Sequence, residues 1–116
     1  MPKSRDMLVL MVGKLAERGG GRGLYVCGHP AAARFKMDEL SGKLEQHGIP
    51  YERSMIDMQI RIECLGVIIS FMPIASLEYR AQGLELQELV DDVTCTRRLT
   101  EREWYTMNMV RARVRS

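Results

Sequence analysis

The chain has 116 residues, a mass of 13.3 kDa, 46% hydrophobic residues, 28% charged residues and a formal net charge of +2. This length fits one domain, residues 1–116, and is too short for a complete motor ATPase with lid and sensor elements. The composition excludes a disordered chain, and no apolar run reaches the roughly 18 residues that a membrane helix needs. We therefore expect a globular protein with no membrane partner.

The cysteines and the first residues indicate the compartment. Cys27, Cys64 and Cys95 are odd in number and form no C-x-x-C pair, which predicts reduced thiols and no disulfide framework or zinc site. The apolar run at residues 7–12 is short and is soon followed by Lys14, so it does not match a signal peptide. Both features predict a cytoplasmic protein.

Apolar periodicity predicts three elements in the first half of the chain. Residues 4–18 have helical spacing, with Ser4 as the N-cap and the glycines at 19–21 as the stop signal. Residues 23–28 form a short apolar run between glycines, which is typical of a buried strand. Residues 31–47 are amphipathic and follow a proline, so a second helix is expected there.

The second half predicts mainly strands and one long helix. The expected elements are strands at 51–55, 58–64 and 67–71, with a tight turn at Gly66 between the last two, then a short helix at 76–82 and a strand at 84–90. A last helix begins at Thr100, which forms a capping box with Glu103, and runs to Arg113. The element order predicts a small three-layer α/β fold with a mostly parallel sheet flanked by helices.

Two carboxylates follow the strand at 84–90. Asp91 and Asp92 stand where an apolar strand ends, a position from which carboxylates can hold a magnesium ion beside a nucleotide. On this interpretation Asp91 is a metal ligand and both residues bind the cofactor. The alternative is that the carboxylates cap the next turn, which the lack of a phosphate-loop lysine favours.

Several segments together resemble a known family. The segments are Leu24-Tyr25-Val26-Cys27, Ile68-Ile69-Ser70-Phe71, Ser76-Leu77-Glu78-Tyr79-Arg80-Ala81-Gln82-Gly83-Leu84 and Leu89-Val90-Asp91-Asp92-Val93. They resemble the core of a P-loop ATPase of the phage terminase large-subunit and helicase kind, over most of the chain. The resemblance implies a reduced P-loop fold, Mg-ATP as a ligand of a composite ATPase or DNA-packaging site, and a phage protein in the host cytoplasm.

The departure from that family lies at the phosphate loop. The pattern G-x-x-x-x-G-K-[ST] is absent, and Ser4-Arg5-Asp6 stands where the family has Gly-Lys-Thr. Within the nucleotide alternative, Arg5 joins Asp91 and Asp92 as a cofactor-binding candidate. Because half of this site is replaced, the sequence favours a non-catalytic protein without a cofactor, which works by binding or regulating a protein partner.

The last helix is the predicted partner surface. Met107 and Met109 are two positions apart on a helix and cannot both face the core, so one of them is expected at the surface. Aromatic side chains concentrate binding energy at interfaces. The predicted partner-binding residues are Trp104, Tyr105, Met109, Arg111 and Arg113. The alternative for Trp104 is that it anchors the helix to the sheet.

A third hypothesis is nucleic-acid binding by the basic end of the chain. Arg111, Arg113 and Arg115 are closely spaced and would attract phosphates. Because Glu101 and Glu103 interrupt the basic residues, solvated helix faces are the alternative explanation.

Overall fold

The computed structural model describes residues 6–115 of the chain. Its helices are α1 (Met7–Glu17), α2 (Pro30–Gln46), α3 (Leu77–Arg80) and α4 (Glu101–Arg111), and its strands are β1 (Gly21–Cys27), β2 (Glu52–Ser54), β3 (Gln59–Ile62), β4 (Val67–Pro73) and β5 (Glu88–Asp91). Most predicted elements are confirmed in type. The last strand is an exception in its bounds, because it begins at Glu88 and not at residue 84.

The five strands form one mixed sheet in the order β2-β3-β4-β1-β5. Strand β1 pairs in parallel with β4 and with β5, whereas the β2-β3 and β3-β4 pairs are antiparallel. The prediction of a mostly parallel sheet is therefore wrong. The physical reason is that only short turns join β2, β3 and β4, and such connections return the chain antiparallel to itself. The predicted tight turn at Gly66 is confirmed.

Helices cover both faces of the sheet, so the layers are α/β/α. Side chains alternate along β1: Tyr25 and Cys27 belong to the core under α1 and α2, whereas Leu24 and Val26 belong to the core under α4. The first core also contains Phe71, and the second contains Met107. The central strand is thus buried on both faces.

The start of α1 differs from the sequence prediction. Asp6, not Ser4, is its N-cap, and Ser4 and Arg5 lie outside the described residues. A tight turn after α1 brings Gly20 against the turn before β4: a Cβ atom on Gly20 would lie 2.6 Å from the Gly66 carbonyl oxygen. This close approach requires glycine and holds α1 against the sheet. Within residues 6–115, no helix has the length and apolar content needed to cross a membrane.

Candidate functional sites at the strand ends and on the last helix

The carboxylates of Asp91, the last residue of β5, and of Asp92, the next residue, face opposite sides of the sheet. The Tyr25 hydroxyl donates a hydrogen bond to Oδ2 of Asp92 at 3.1 Å, on the side covered by α1 and α2. Oδ2 of Asp91 instead lies 3.8 Å from a guanidinium nitrogen of Arg111, on the α4 side. Successive side chains of an extended segment point to opposite faces. The structure therefore gives each predicted carboxylate its own partner and does not direct both toward one point.

Asp91 makes the capping contacts that the alternative interpretation predicts. Its Oδ1 accepts hydrogen bonds from the backbone nitrogens of Val93 at 2.9 Å and Thr94 at 3.2 Å. Its Oδ2 accepts a third from the Thr94 hydroxyl at 3.0 Å. These bonds hold the turn that follows β5. No group of three or more His, Cys, Asp or Glu side chains within residues 6–115 is arranged to hold a metal ion.

Tyr25 is the partner that the sequence interpretation missed. Burial, followed by the charge of Asp92, raises the pKa of Tyr25 above its ordinary value, so the hydroxyl remains a donor at neutral pH. Burial, followed again by Asp92, raises the pKa of Cys27 to about 12, so this thiol stays protonated and is a poor nucleophile. A tyrosine in a buried strand usually has a hydrogen-bond partner for its hydroxyl. This rule could have indicated from the sequence that Tyr25 binds a polar side chain.

The N-terminus of α1 is occupied by the chain's own carboxylate. Oδ1 of Asp6 accepts hydrogen bonds from the backbone nitrogens of Leu8 at 3.1 Å and Val9 at 3.2 Å. Its Oδ2 lies 3.4 Å from Nζ of Lys43 on α2. Free amides at a helix start are the groups that bind a phosphate. Because Asp6 already accepts two of them, the described residues do not fit a phosphate at this position.

The start of α4 is fixed by a complete capping box. The Thr100 hydroxyl accepts from the Glu103 backbone nitrogen, and the Glu103 carboxylate accepts from the Thr100 backbone nitrogen, as the sequence predicts. Arg97 adds two hydrogen bonds to this carboxylate, at 2.8 and 3.0 Å. Hydrogen bonding by Arg97, followed by that of the Thr100 backbone, lowers the pKa of Glu103 to about 2.

The outer side of α4 exposes large apolar side chains. Met107 and Val110 are buried against the sheet, whereas Trp104 and Tyr105 are each 60% exposed and Met109 is 47% exposed. The expectation that one of the two methionines is at the surface is confirmed. The alternative that Trp104 anchors the helix is wrong, because most of its surface is in solvent. We call Trp104, Tyr105 and Met109 the α4 patch.

The arginines near this patch differ in their engagement. Arg111 is paired with Asp91, and Arg113 donates to the Ala81 carbonyl oxygen at 3.1 Å, so both help to attach α4 to the rest of the fold. Arg102 forms an exposed ion pair with Glu78 at 3.2 Å. The Arg98 guanidinium makes neither a hydrogen bond nor an ion pair with residues 6–115. It lines an open groove of about 460 Å³ together with Thr94, Arg97, Leu99 and Trp104.

Comparison with known proteins identifies no relative. No family model, curated protein or solved structure matches this chain. The resemblance to P-loop ATPases therefore stays a prediction based on the sequence segments, and function is inferred from the contacts described above.

Proposed function

We propose that this protein is a non-catalytic binding module that recognises a protein partner through the α4 patch. The observation that carries the proposal is the exposure of Trp104, Tyr105 and Met109 together on one helix whose opposite side is fully packed. Exposed aromatic and methionine side chains are enriched at protein interfaces relative to the rest of a protein surface. Tryptophan and tyrosine are the side chains most often found at the energetic centre of such interfaces.

The contacts that hold α4 in place also support the proposal. Its first turn is held by the capping box, and its inner side by the burial of Met107 and Val110. A rigid helix loses little conformational entropy when a partner binds, so more of the contact energy appears as affinity. The strand-end carboxylates, by contrast, already have partners within the chain.

Site-specific photo-crosslinking tests the proposal. A photoreactive amino acid at position 105 should crosslink a protein in an extract, whereas the same group at Phe35, which is exposed on α2, should not crosslink that protein. Once the partner is identified and purified, its affinity should fall at least about tenfold for the double variant Tyr105→Ser, Met109→Ser. Equal affinity for this variant and the wild type would contradict the proposal.

A nucleotide-binding component of a composite ATPase or DNA-packaging site is the second candidate. It is favoured by the position of Asp91 and Asp92 at the carboxyl end of β5, which is parallel to β1, because ligands bind at the carboxyl ends of strands in α/β sheets. In this case Mg-ATP at a hundred times its dissociation constant would stabilise the fold by about 2.7 kcal/mol. We expect no such stabilisation in thermal unfolding. If Mg-ATP raises the unfolding temperature of the wild type but not that of Asp91→Asn, this second candidate replaces our proposal.

Two further functions are expected from the sequence, a regulatory or phage accessory role and nucleic-acid binding. A regulatory or phage accessory role would suit a reduced domain of this kind, by analogy with the resembled family. Nucleic-acid binding requires Arg111, Arg113 and Arg115, of which the first two already make contacts within the fold. It predicts an affinity that falls steeply with salt concentration.

A further inference from the structure

The chain segment that carries the α4 patch is basic, while the rest of the chain is acidic. Residues 97–115 contain six arginines and two glutamates, a net charge of +4, whereas the whole chain has a net charge of +2. All other residues together therefore carry a net charge of −2. Charge around an apolar interface centre selects the partner and speeds its association. The partner of this patch is therefore expected to be acidic.

Arginines lie on two sides of the α4 patch. Tyr105, Met109 and the exposed Ala112 are spaced by four and three residues, so they form one apolar stripe along α4. At about 100° per residue, Arg102 lies next to Met109 on one side of this stripe. Glu101 and Asn108 lie on the other side, before Trp104, and Arg98 lines the groove beside Trp104. An apolar surface with Arg98 beside one part and Arg102 beside another is complementary to a helix whose apolar stripe is flanked by carboxylates.

Two of the basic side chains, those of Arg98 and Arg102, are available to a partner. Both members of the Arg102–Glu78 pair are mostly exposed, with side-chain exposures of 82% and 59%. Exposed ion pairs of this kind contribute little stability, so a partner's carboxylate can displace Glu78 at small cost. Arg98 has no side-chain partner within residues 6–115. Glu101, in the first turn of α4, is the exposed acidic residue of this helix.

We propose that the α4 patch binds an acidic amphipathic helix of a partner protein. Apolar side chains of that helix pack on Tyr105 and Met109, and its carboxylates pair with Arg98 and Arg102. This inference rests on the proposed function and adds the chemistry of the partner. A second copy of this chain is disfavoured, because two segments of net charge +4 would face each other.

The protein provides its own reporter for a test. Trp104 is the only tryptophan in the chain, so intrinsic fluorescence reports directly on the patch. Full-length protein would be titrated with a helical peptide of about five turns that has a leucine stripe flanked by glutamates. Parallel titrations would use the same peptide with lysine in place of glutamate, and oligothymidylate. We expect the acidic peptide alone to bind; no binding by it, or equal or tighter binding by either other probe, overturns the proposal. Tighter binding by oligothymidylate would identify the patch as a nucleic-acid surface.

Charge reversal separates this inference from the proposed function. The double variant Arg98→Glu, Arg102→Glu should bind the acidic peptide with an affinity lower by about tenfold or more. The matched control, Lys14→Glu with Arg34→Glu, makes the same change in net charge away from α4 and should leave the affinity unchanged. One outcome is that the double variant Tyr105→Ser, Met109→Ser lowers the affinity for a partner identified by crosslinking while the α4 charge reversal leaves that affinity unchanged. In that case the proposed function stands and this inference fails. If neither affects that partner, both fail.

Discussion

The strand ends and the α4 patch differ in how far their side chains are satisfied within the fold. Asp91 accepts three hydrogen bonds from the following turn, and Asp92 accepts one from Tyr25. The side chains of Trp104 and Tyr105 remain mostly in solvent. Polar groups with internal partners mainly stabilise the structure, because a ligand must first displace those partners. Apolar groups without internal cover gain free energy when a partner buries them.

The largest expected effect separates the two sides of α4. Met107→Ala should lower the free energy of unfolding by about 2–5 kcal/mol, because it leaves a cavity in the core beneath the helix. Met109→Ala, in the same helix, should change it by less than about 0.5 kcal/mol. Urea unfolding of both variants measures the difference. Equal losses would mean that the patch is part of the core and not a free surface.

A structural role for Asp91 predicts the next largest effect. Asp91→Ala should lower the free energy of unfolding by about 1–2 kcal/mol, because Val93 and Thr94 lose their side-chain acceptor. Glu88→Ala on the same strand is the control, and its side chain makes no hydrogen bond or ion pair with residues 6–115. If Asp91→Ala is as stable as the wild type, the capping interpretation is wrong.

Removing the cap of α1 should cost somewhat less. Asp6→Ala should lower the free energy of unfolding by about 1 kcal/mol, because two amides of the first turn lose their acceptor. Asp6→Asn keeps a side-chain oxygen and should retain most of that stability. Urea unfolding compares the two variants. A loss for the asparagine variant as large as that for alanine would assign the effect to the ion pair with Lys43.

The smallest effect is an acid dependence from the start of α4. The pKa of Glu103 is about 2 in the folded protein, below its ordinary value of 4.5, so its contribution to stability is present above pH 4.5 and is lost as the pH falls toward 2. The wild type should therefore exceed Glu103→Gln in stability at pH 7, and the difference should shrink between pH 4.5 and 2. Unfolding midpoints at these pH values measure it. A difference that stays constant across this range would show that the carboxylate charge is not responsible.

Local patterns were sufficient to predict much of this structure. The capping box at Thr100, the turn at Gly66 and the exposure of one of Met107 and Met109 depend on residues close in sequence. The sheet was predicted less well: the antiparallel hairpin was identified, but its effect on the parallel character of the whole sheet was not. Periodicity reports whether a segment is a strand, whereas strand pairing depends on contacts between distant segments.

The candidate sites also combine features set by nearby residues with features set by distant contacts. The sequence by itself determined α4, its cap and its apolar and basic residues, because helix periodicity and capping act within a few residues. Only the tertiary structure decided that Trp104 is exposed and that Asp92 meets Tyr25, 67 positions away in sequence. It also decided that Asp6 lies beside Lys43 of α2. These outcomes depend on how the helices pack on the sheet, which no local pattern encodes.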